Sequence, residues 1–246
     1  MCGRFSQAYS WDEIVAFSQP LTVPADRPNL RARYNISPTT EIDMIVLTEA
    51  GRELRKARWG LIPSWWKKTA RETGSTFNAR IEGAATSAMF RFAWEKRRCI
   101  IPASAFYEWT GPKGERIPHR ISAADGGLMA FAGLWDRWTD TQTGEEIVSC
   151  TMITRAANKW MSAIHDRMPA LLRSKDFQAW LDGSGGRELL MEPPPELQEW
   201  IVSTRVNSSR TPDDDPTLAD PVEAAPEAAP EAPRAPPEEP PQGSLF

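Results

Sequence analysis

The 246-residue sequence is poor in the residues on which disulfide-rich and metal-held folds depend. Three cysteines, Cys2, Cys99 and Cys150, lie far apart and form no C-x-x-C pair, and only two histidines are present, His119 and His165. An odd, scattered set of thiols makes no disulfide scaffold, and so few imidazoles leave a Cys/His zinc cage short of ligands. No metal or cofactor is expected. No apolar run approaches the ~18 residues of a membrane helix. The opening Met-Cys-Gly-Arg-Phe-Ser lacks the apolar stretch of a secretion signal. The expected place is therefore the reducing cytoplasm. Internal repeats are also absent.

What is present is ordinary in bulk and uneven in place. Hydrophobic residues are 41% and charged residues 25% of the chain, as in soluble globular proteins. The formal charge of −4 conceals a division. Residues 211–246 hold nine acids against one base, Arg234, and ten of the 22 prolines. The rest of the chain carries a small positive excess, which suits nucleic acid. A Pro/Ala/Glu-rich acidic segment cannot bury a core, so 210–246 is expected to be a disordered tail on a folded body, 1–209.

Within the body, Ser10-Trp-Asp-Glu13 reads as a capping box opening a helix through Phe17. Residues 41–47 and 52–59 read as two strands joined by Glu49-Ala50-Gly51. Further strands are expected over 99–109, 116–122, 128–135 and 147–154, and helices over 84–96, 156–164 and 176–181. Strands outnumber helices without regular alternation. The expected class is α+β: a single domain on a mainly antiparallel, barrel-like β core with flanking helices.

Eleven tryptophans against three tyrosines are the compositional outlier. Trp135, Trp160 and Trp180 read as core. Trp65-Trp66 follow Pro63-Ser64 and precede Lys67-Lys68; such a loop pair can stack on unpaired bases, or bury one ring and cover the loop with the other.

Cys2 follows the initiator Met. Removal of Met before a small residue would leave an α-amine and a thiol on adjacent carbons, with ordinary pKa values of about 7.7–8.0 and about 8.5. The amine can condense with an aldehyde and the thiol can close on the imine carbon, giving a thiazolidine. The same residue could serve as a nucleophile on an acyl carbonyl, or be a small buried Cys. Three polar positions stand out beside it. Asn78 lies in Phe77-Asn-Ala-Arg-Ile-Glu82, where it could cap a helix. Glu108 lies amid large apolar groups in Ala105-Phe-Tyr-Glu-Trp109, which raises a carboxyl pKa toward acid/base use unless an Arg pairs with it. His165 lies in Ile164-His-Asp-Arg-Met-Pro169, where a helix should end, and could simply satisfy that end. His119 reads as structural or exposed.

Six segments in order — Met1–Phe5, Tyr34–Pro38, Trp59–Trp66, Asn78–Glu82, Phe106–Trp109 and Ile164–Pro169 — closely resemble the SOS-response-associated peptidase (SRAP) family of abasic-site processing proteins, over about residues 1–208. The resemblance implies binding to single-stranded DNA and a thiazolidine link between Cys2 and the ring-opened sugar of an abasic site, at single strands or junctions. It implies that Glu108 assists ring opening, that His165 is a second acid/base group important for reversal, and that Asn78 orients the Cys2 amine or a sugar oxygen. Arg4, Arg80 and Arg167 would hold phosphates, Trp65 or Trp66 would stack or wedge, and Asn35, Ser37 and Pro38 would shape the cleft. Lyase and peptidase activities fall within the same family picture. A cysteine hydrolase built on Cys2, His165 and Glu108, and a DNA-binding adaptor with a structural Cys2, are the alternatives. The last residues, Gln242-Gly-Ser-Leu245-Phe246, resemble the bacterial sliding-clamp-binding pentapeptide, with Gly243 in place of the usual Leu. They would sit at the end of a tail of ~30 residues spanning roughly 30 Å. A nucleoid-associated monomer is expected.

Overall fold

Five strands close into a barrel, and the residues that close it are written as alternation. The computed structural model describes residues 2–24 and 28–222. Chain order is β1 (Phe5–Gln7), α1 (Trp11–Ser18), β2 (Arg33–Ile36), β3 (Glu41–Thr48), β4 (Gly51–Trp59), β5 (Asn78–Arg80), α2 (Arg91–Lys96), β6 (Arg98–Ala103) and β7 (Ala105–Thr110). Then come β8 (Ile117–Ala123), β9 (Met129–Thr139), β10 (Glu146–Ala156), β11 (Arg167–Pro169), β12 (Leu171–Leu172), α3 (Phe177–Leu181) and β13 (Leu197–Ile201). The ring runs β10-β4-β3-β6-β9 and back to β10; only the β10–β4 step is parallel. A second sheet, β13-β8-β7-β1-β2, is wholly antiparallel and packs on it. This is the expected mixed α+β domain on a barrel. Among the described residues no helix is long and apolar enough to cross a membrane.

Alternation decides which way each strand faces. Ile42, Met44 and Val46 of β3 and Cys99 and Ile101 of β6 enter one core with Phe5, Trp59, Phe106 and Phe131. Their neighbours Ile45 and Ile100 face the other way, under Ile14 of α1 and Phe177 and Trp180 of α3. With both faces covered, β6 is buried throughout. Trp180 is fixed there by its Nε1–H, which donates to Cys99 O at 2.9 Å, and by Arg98 stacked 4.5 Å from its ring. Removing a ring so placed costs about 3–5 kcal/mol. Gly133 of β9 faces Cys99, where a Cβ would come within 2.7 Å of Sγ, so no larger residue fits.

Several expectations are corrected. The single strand expected over 99–109 is two strands in different sheets. Ser104 breaks it: its N–H donates to Ser6 O and its Oγ shares a hydrogen bond with Ser6 Oγ, at 2.9 Å each, so the chain leaves the barrel for the second sheet. The helix expected over 84–96 shrinks to α2, because Gly83, Thr86 and Ser87 close local turns first. The helix expected over 156–164 is absent: Ala156 ends β10, Asn158 Oδ1 takes the Met161 N–H at 2.8 Å, and only a 3-10 turn, Met161–Ala163, follows. Trp160 accordingly lies on the surface, 42% exposed, and is not core. Residues 211–222, expected in the tail, pack on the body: Leu218 is buried with Tyr107, Val202 and Val206. His119 is structural, with Nε2 2.8 Å from Thr110 Oγ1. The rest of the expected tail, with Gln242, Leu245 and Phe246, lies outside the described residues.

Candidate functional site

Cys2 is placed by the edge it introduces. Phe5 of β1 pairs with Phe106 of β7, and the ladder continues as Tyr107 N–H donates to Arg4 O at 2.9 Å. Residues 2–4 are thereby drawn alongside Glu108, the next residue of β7. Cys2 is wholly buried, its thiol 3.5 Å from Arg4 O. Asn78 arrives on β5, which is parallel to β10, and its Nδ2 donates to Cys2 O at 2.6 Å. The carbonyl can only accept, so the amide nitrogen must face it. Asn78 Oδ1 is buried without a hydrogen-bond partner among the described residues, an open acceptor beside Cys2. His165 sits between the Met161–Ala163 turn and β11, which pairs with β10. One strand, β10, therefore sets both Asn78 and His165.

Glu108 and His165 face each other, Nε2 to Oε2, at 3.9 Å. Glu108 is 2% exposed, and burial pushes its carboxyl up to about 7. Loss of water around the ring holds His165 below the usual imidazole range. The Arg167 N–H donates to His165 Nδ1 at 2.9 Å. A backbone N–H has no other role, so Nδ1 is the acceptor and the neutral ring carries its proton on Nε2, toward Glu108. Asp166 Oδ1 is also 2.9 Å from Nδ1. That carboxylate is largely in solvent and yields to the fixed backbone donor. Burial, reinforced by the Glu108 charge, raises the Cys2 thiol far above its ordinary pKa, so it is neutral at pH 7 and needs a base. A cavity of about 590 Å³ opens onto Glu108 and His165, lined also by Gly3, Arg4, Arg116 and Asn207 among others. A hollow of similar size, about 570 Å³, beside α1 and α3 gathers neither thiol nor imidazole. Among the described residues no three His, Cys, Asp or Glu side chains converge as metal ligands.

The residues expected around the site fall into three settings. Arg4 is buried and donates to Asn35 Oδ1 at 2.6 Å and Val206 O at 2.7 Å. Asn35, Ser37 and Pro38 line an adjoining hollow of about 320 Å³ with Arg33, Thr40 and Asp213. Arg167 grips Glu82 through both terminal nitrogens, at 2.7 and 2.9 Å. Arg80 is exposed at the end of β5. Trp65 is 49% exposed, with the half-buried Trp66 5.8 Å away in an edge-on arrangement. The loop carrying them is sewn down by strand side chains. Asp136 Oδ2 accepts the Ser64 N–H at 2.8 Å, Trp138 Nε1 donates to Trp66 O at 2.7 Å, and Ser149 Oγ takes the Ile62 N–H at 2.8 Å. Asp136, 1% exposed, is itself paired with Arg97. Arg116 and Asn207, both on the cavity wall, had no motif to mark them.

A buried thiol at position 2 stands beside a carboxyl that burial raises to about 7 and a neutral imidazole, a grouping equipped to move protons next to a cysteine. The SOS response associated peptidase (SRAP) family model matches residues 1–209, and the chain belongs to that family. It is 35% identical to abasic site processing protein YoqW of Bacillus subtilis over 219 residues, covering 85% of this chain and 96% of the relative. It is 31% identical to abasic site processing protein YedK of Escherichia coli over 184 residues, covering 74% and 79%. A crystal structure of a Bordetella bronchiseptica protein, 30% identical, matches with a TM-score of 0.68 over 82% of this chain and all of that one.

Proposed function

We propose that this protein processes abasic sites in DNA by joining itself to them through Cys2. The observation that carries the reading is that Cys2, held by Asn78, lies buried behind the cavity that its neighbours Gly3 and Arg4 line with the facing pair Glu108 and His165. The names of the relatives, abasic site processing proteins, support it.

An abasic deoxyribose is a cyclic hemiacetal in equilibrium with an aldehyde. Glu108 and His165 move the proton from the C1 hydroxyl to the ring oxygen, opening the ring. With Met1 removed, the Cys2 nitrogen is an amine and adds to C1. Protonation of the resulting hydroxyl by Glu108 expels one water and leaves an imine. The Cys2 thiol then adds across that C=N bond: sulfur bonds to C1, and the thiol proton passes through His165 or Glu108 to the nitrogen. A group titrating at the working pH serves both donation and acceptance. The Asn78 amide holds the Cys2 carbonyl, fixing the direction of the amine and thiol. Run backwards, the same steps release the sugar, and the imine supports β-elimination as a lyase. The link consumes the protein, which acts as a shield on the lesion.

Arg80 and the exposed Trp65 supply a phosphate contact and a stacking face for the unpaired strand, beside the cleft of Asn35, Ser37 and Pro38. The chain acts as a nucleoid-associated monomer, and Gln242–Phe246 tethers it to the sliding clamp. Loss of clamp pull-down on deleting 242–246 is the expected result, and unchanged pull-down would refute the tether. The main test is a denaturing gel of Met-free protein with an abasic single strand, beside Cys2→Ala and a Met-retaining form. A covalent band lost in both controls is expected. Turnover of a peptide without any band would make Cys2 an acyl nucleophile instead.

A further inference from the structure

The cations around the cavity are of two kinds. Arg4 and Arg167 are spent on the protein: Arg4 on Asn35 and Val206 O, Arg167 on Glu82 and, at 2.8 Å, Thr154 O. Those donors tie residues 2–4 to Asn35 and Val206, and β11 to Glu82 and β10, while Nε of each guanidinium has no hydrogen-bond partner among the described residues. Arg116 is different. It lines the same cavity as Glu108 and His165 and is exposed, and its guanidinium enters no hydrogen bond or ion pair among the described residues. Its charge reaches both catalytic groups, opposing the rise of the Glu108 carboxyl and lowering His165 further.

The backbone beneath Arg116 is fixed. Asn207 Nδ2 donates to Arg116 O at 3.1 Å, while Asn207 Oδ1 accepts from Trp109 Nε1 at 2.6 Å. One amide thus ties both sides of the β7–β8 turn to the 3-10 turn Thr204–Asn207, next to the carbonyls that hold Arg4. The turn itself is tight: Gly111 has φ +82°, and a Cβ there would lie 2.8 Å from Glu115 O. Gly111 and Gly114 also line the cavity and leave its mouth without side chains at those points. The arrangement is a pinned base carrying a free planar cation over the reacting groups, and such a cation suits an oxyanion with two oxygens to offer.

We propose that Arg116, on the turn that Asn207 pins, is a subsite for a backbone phosphate of the strand whose sugar lies between Glu108 and His165. This rests on the function proposed above and adds to it the path of the strand: across the β7–β8 turn. Ordering at the subsite is cheap because the turn is already held and only the side chain must be fixed.

The test uses the full, Met-free chain and a single strand carrying a tetrahydrofuran abasic analogue, which lacks the C1 hydroxyl and cannot form the link. Affinity is followed across a series of monovalent salt concentrations for wild type, Arg116→Ala, Arg116→Lys and Lys113→Ala; Lys113 is on the same turn but does not line the cavity. Arg116→Ala should bind about five- to tenfold more weakly at low salt, and its slope of log affinity against log salt should be shallower by about 0.7, the share of one phosphate contact on a single strand. Arg116→Lys should restore the slope, and Lys113→Ala should leave it near wild type. An unchanged slope in a folded Arg116→Ala protein overturns the subsite. Failure of the function itself would read differently: wild type would form no covalent band with an aldehydic abasic strand, whatever the slopes.

Discussion

Replacing Glu108 by Gln should make the protein more stable and less active, and the gain should depend on pH. Burial raises the Glu108 carboxyl from 4.5 to about 7. Between those values the folded chain holds a proton that the unfolded chain has released, so stability falls as pH rises through the window. At 1.36 kcal/mol per unit, the ionised carboxyl costs up to about 3 kcal/mol above pH 7. Gln keeps the shape and never ionises, so it escapes that cost. For a domain of this size 1 kcal/mol moves Tm by about 2–4 °C, which gives a gain of up to about 10 °C at pH 8 and little at pH 4.5. The assay is thermal melting of both proteins across that pH range, paired with the rate of adduct formation, which should collapse in Glu108→Gln. Equal melting temperatures at pH 8, or a difference that ignores pH, would mean that burial does not set the Glu108 proton affinity.

Two further substitutions probe the supports of the site. Asn78→Ala removes the donor to Cys2 O and should slow adduct formation about tenfold, for a loss of about 1.4 kcal/mol in positioning, with a smaller change in Tm; Asn78→Asp, which sets an anion against the carbonyl, should be slower still, and single-turnover kinetics measures both. Asp136→Ala leaves the Ser64 N–H and the Arg97 cation without their buried acceptor and should cost about 2–4 kcal/mol in denaturant unfolding. Asp136→Asn, which keeps an acceptor for Ser64, should cost less. Trp65→Ala should leave stability within about 0.5 kcal/mol and weaken single-strand binding by about 1–3 kcal/mol, read by fluorescence titration.

Local signals in the chain were strong where they were periodic or reciprocal. Ser10 and Glu13 announce α1 because each side chain answers the other's backbone. Ile42, Met44 and Val46 announce β3 because period-2 alternation has no other reading. The three-residue strands β1, β5 and β11 have no period to read; their partners define them, and those partners carry Cys2, Asn78 and Arg167 into the site. The change of sheet at Ser104 was hidden because apolar residues continue through it on both sides. Burial of Glu108 was legible from its neighbours, whereas the fate of a guanidinium was not: the sequence does not say that Arg4 and Arg167 meet protein acceptors and that Arg116 meets none among the described residues. Asn207 lies about a hundred residues from Trp109, and its role exists only after folding.

Whether the Cys2 amine and thiol together capture the abasic aldehyde is read from the intact mass of the adduct. Protein and an abasic strand would be mixed, treated or not with borohydride, and weighed. A ring closed by the thiol predicts an adduct one water lighter than the two components, unchanged by borohydride, and absent from Cys2→Ala. An adduct that gains two hydrogens with borohydride, and forms as well from Cys2→Ala, would mean an open imine on another amine and would contradict the account.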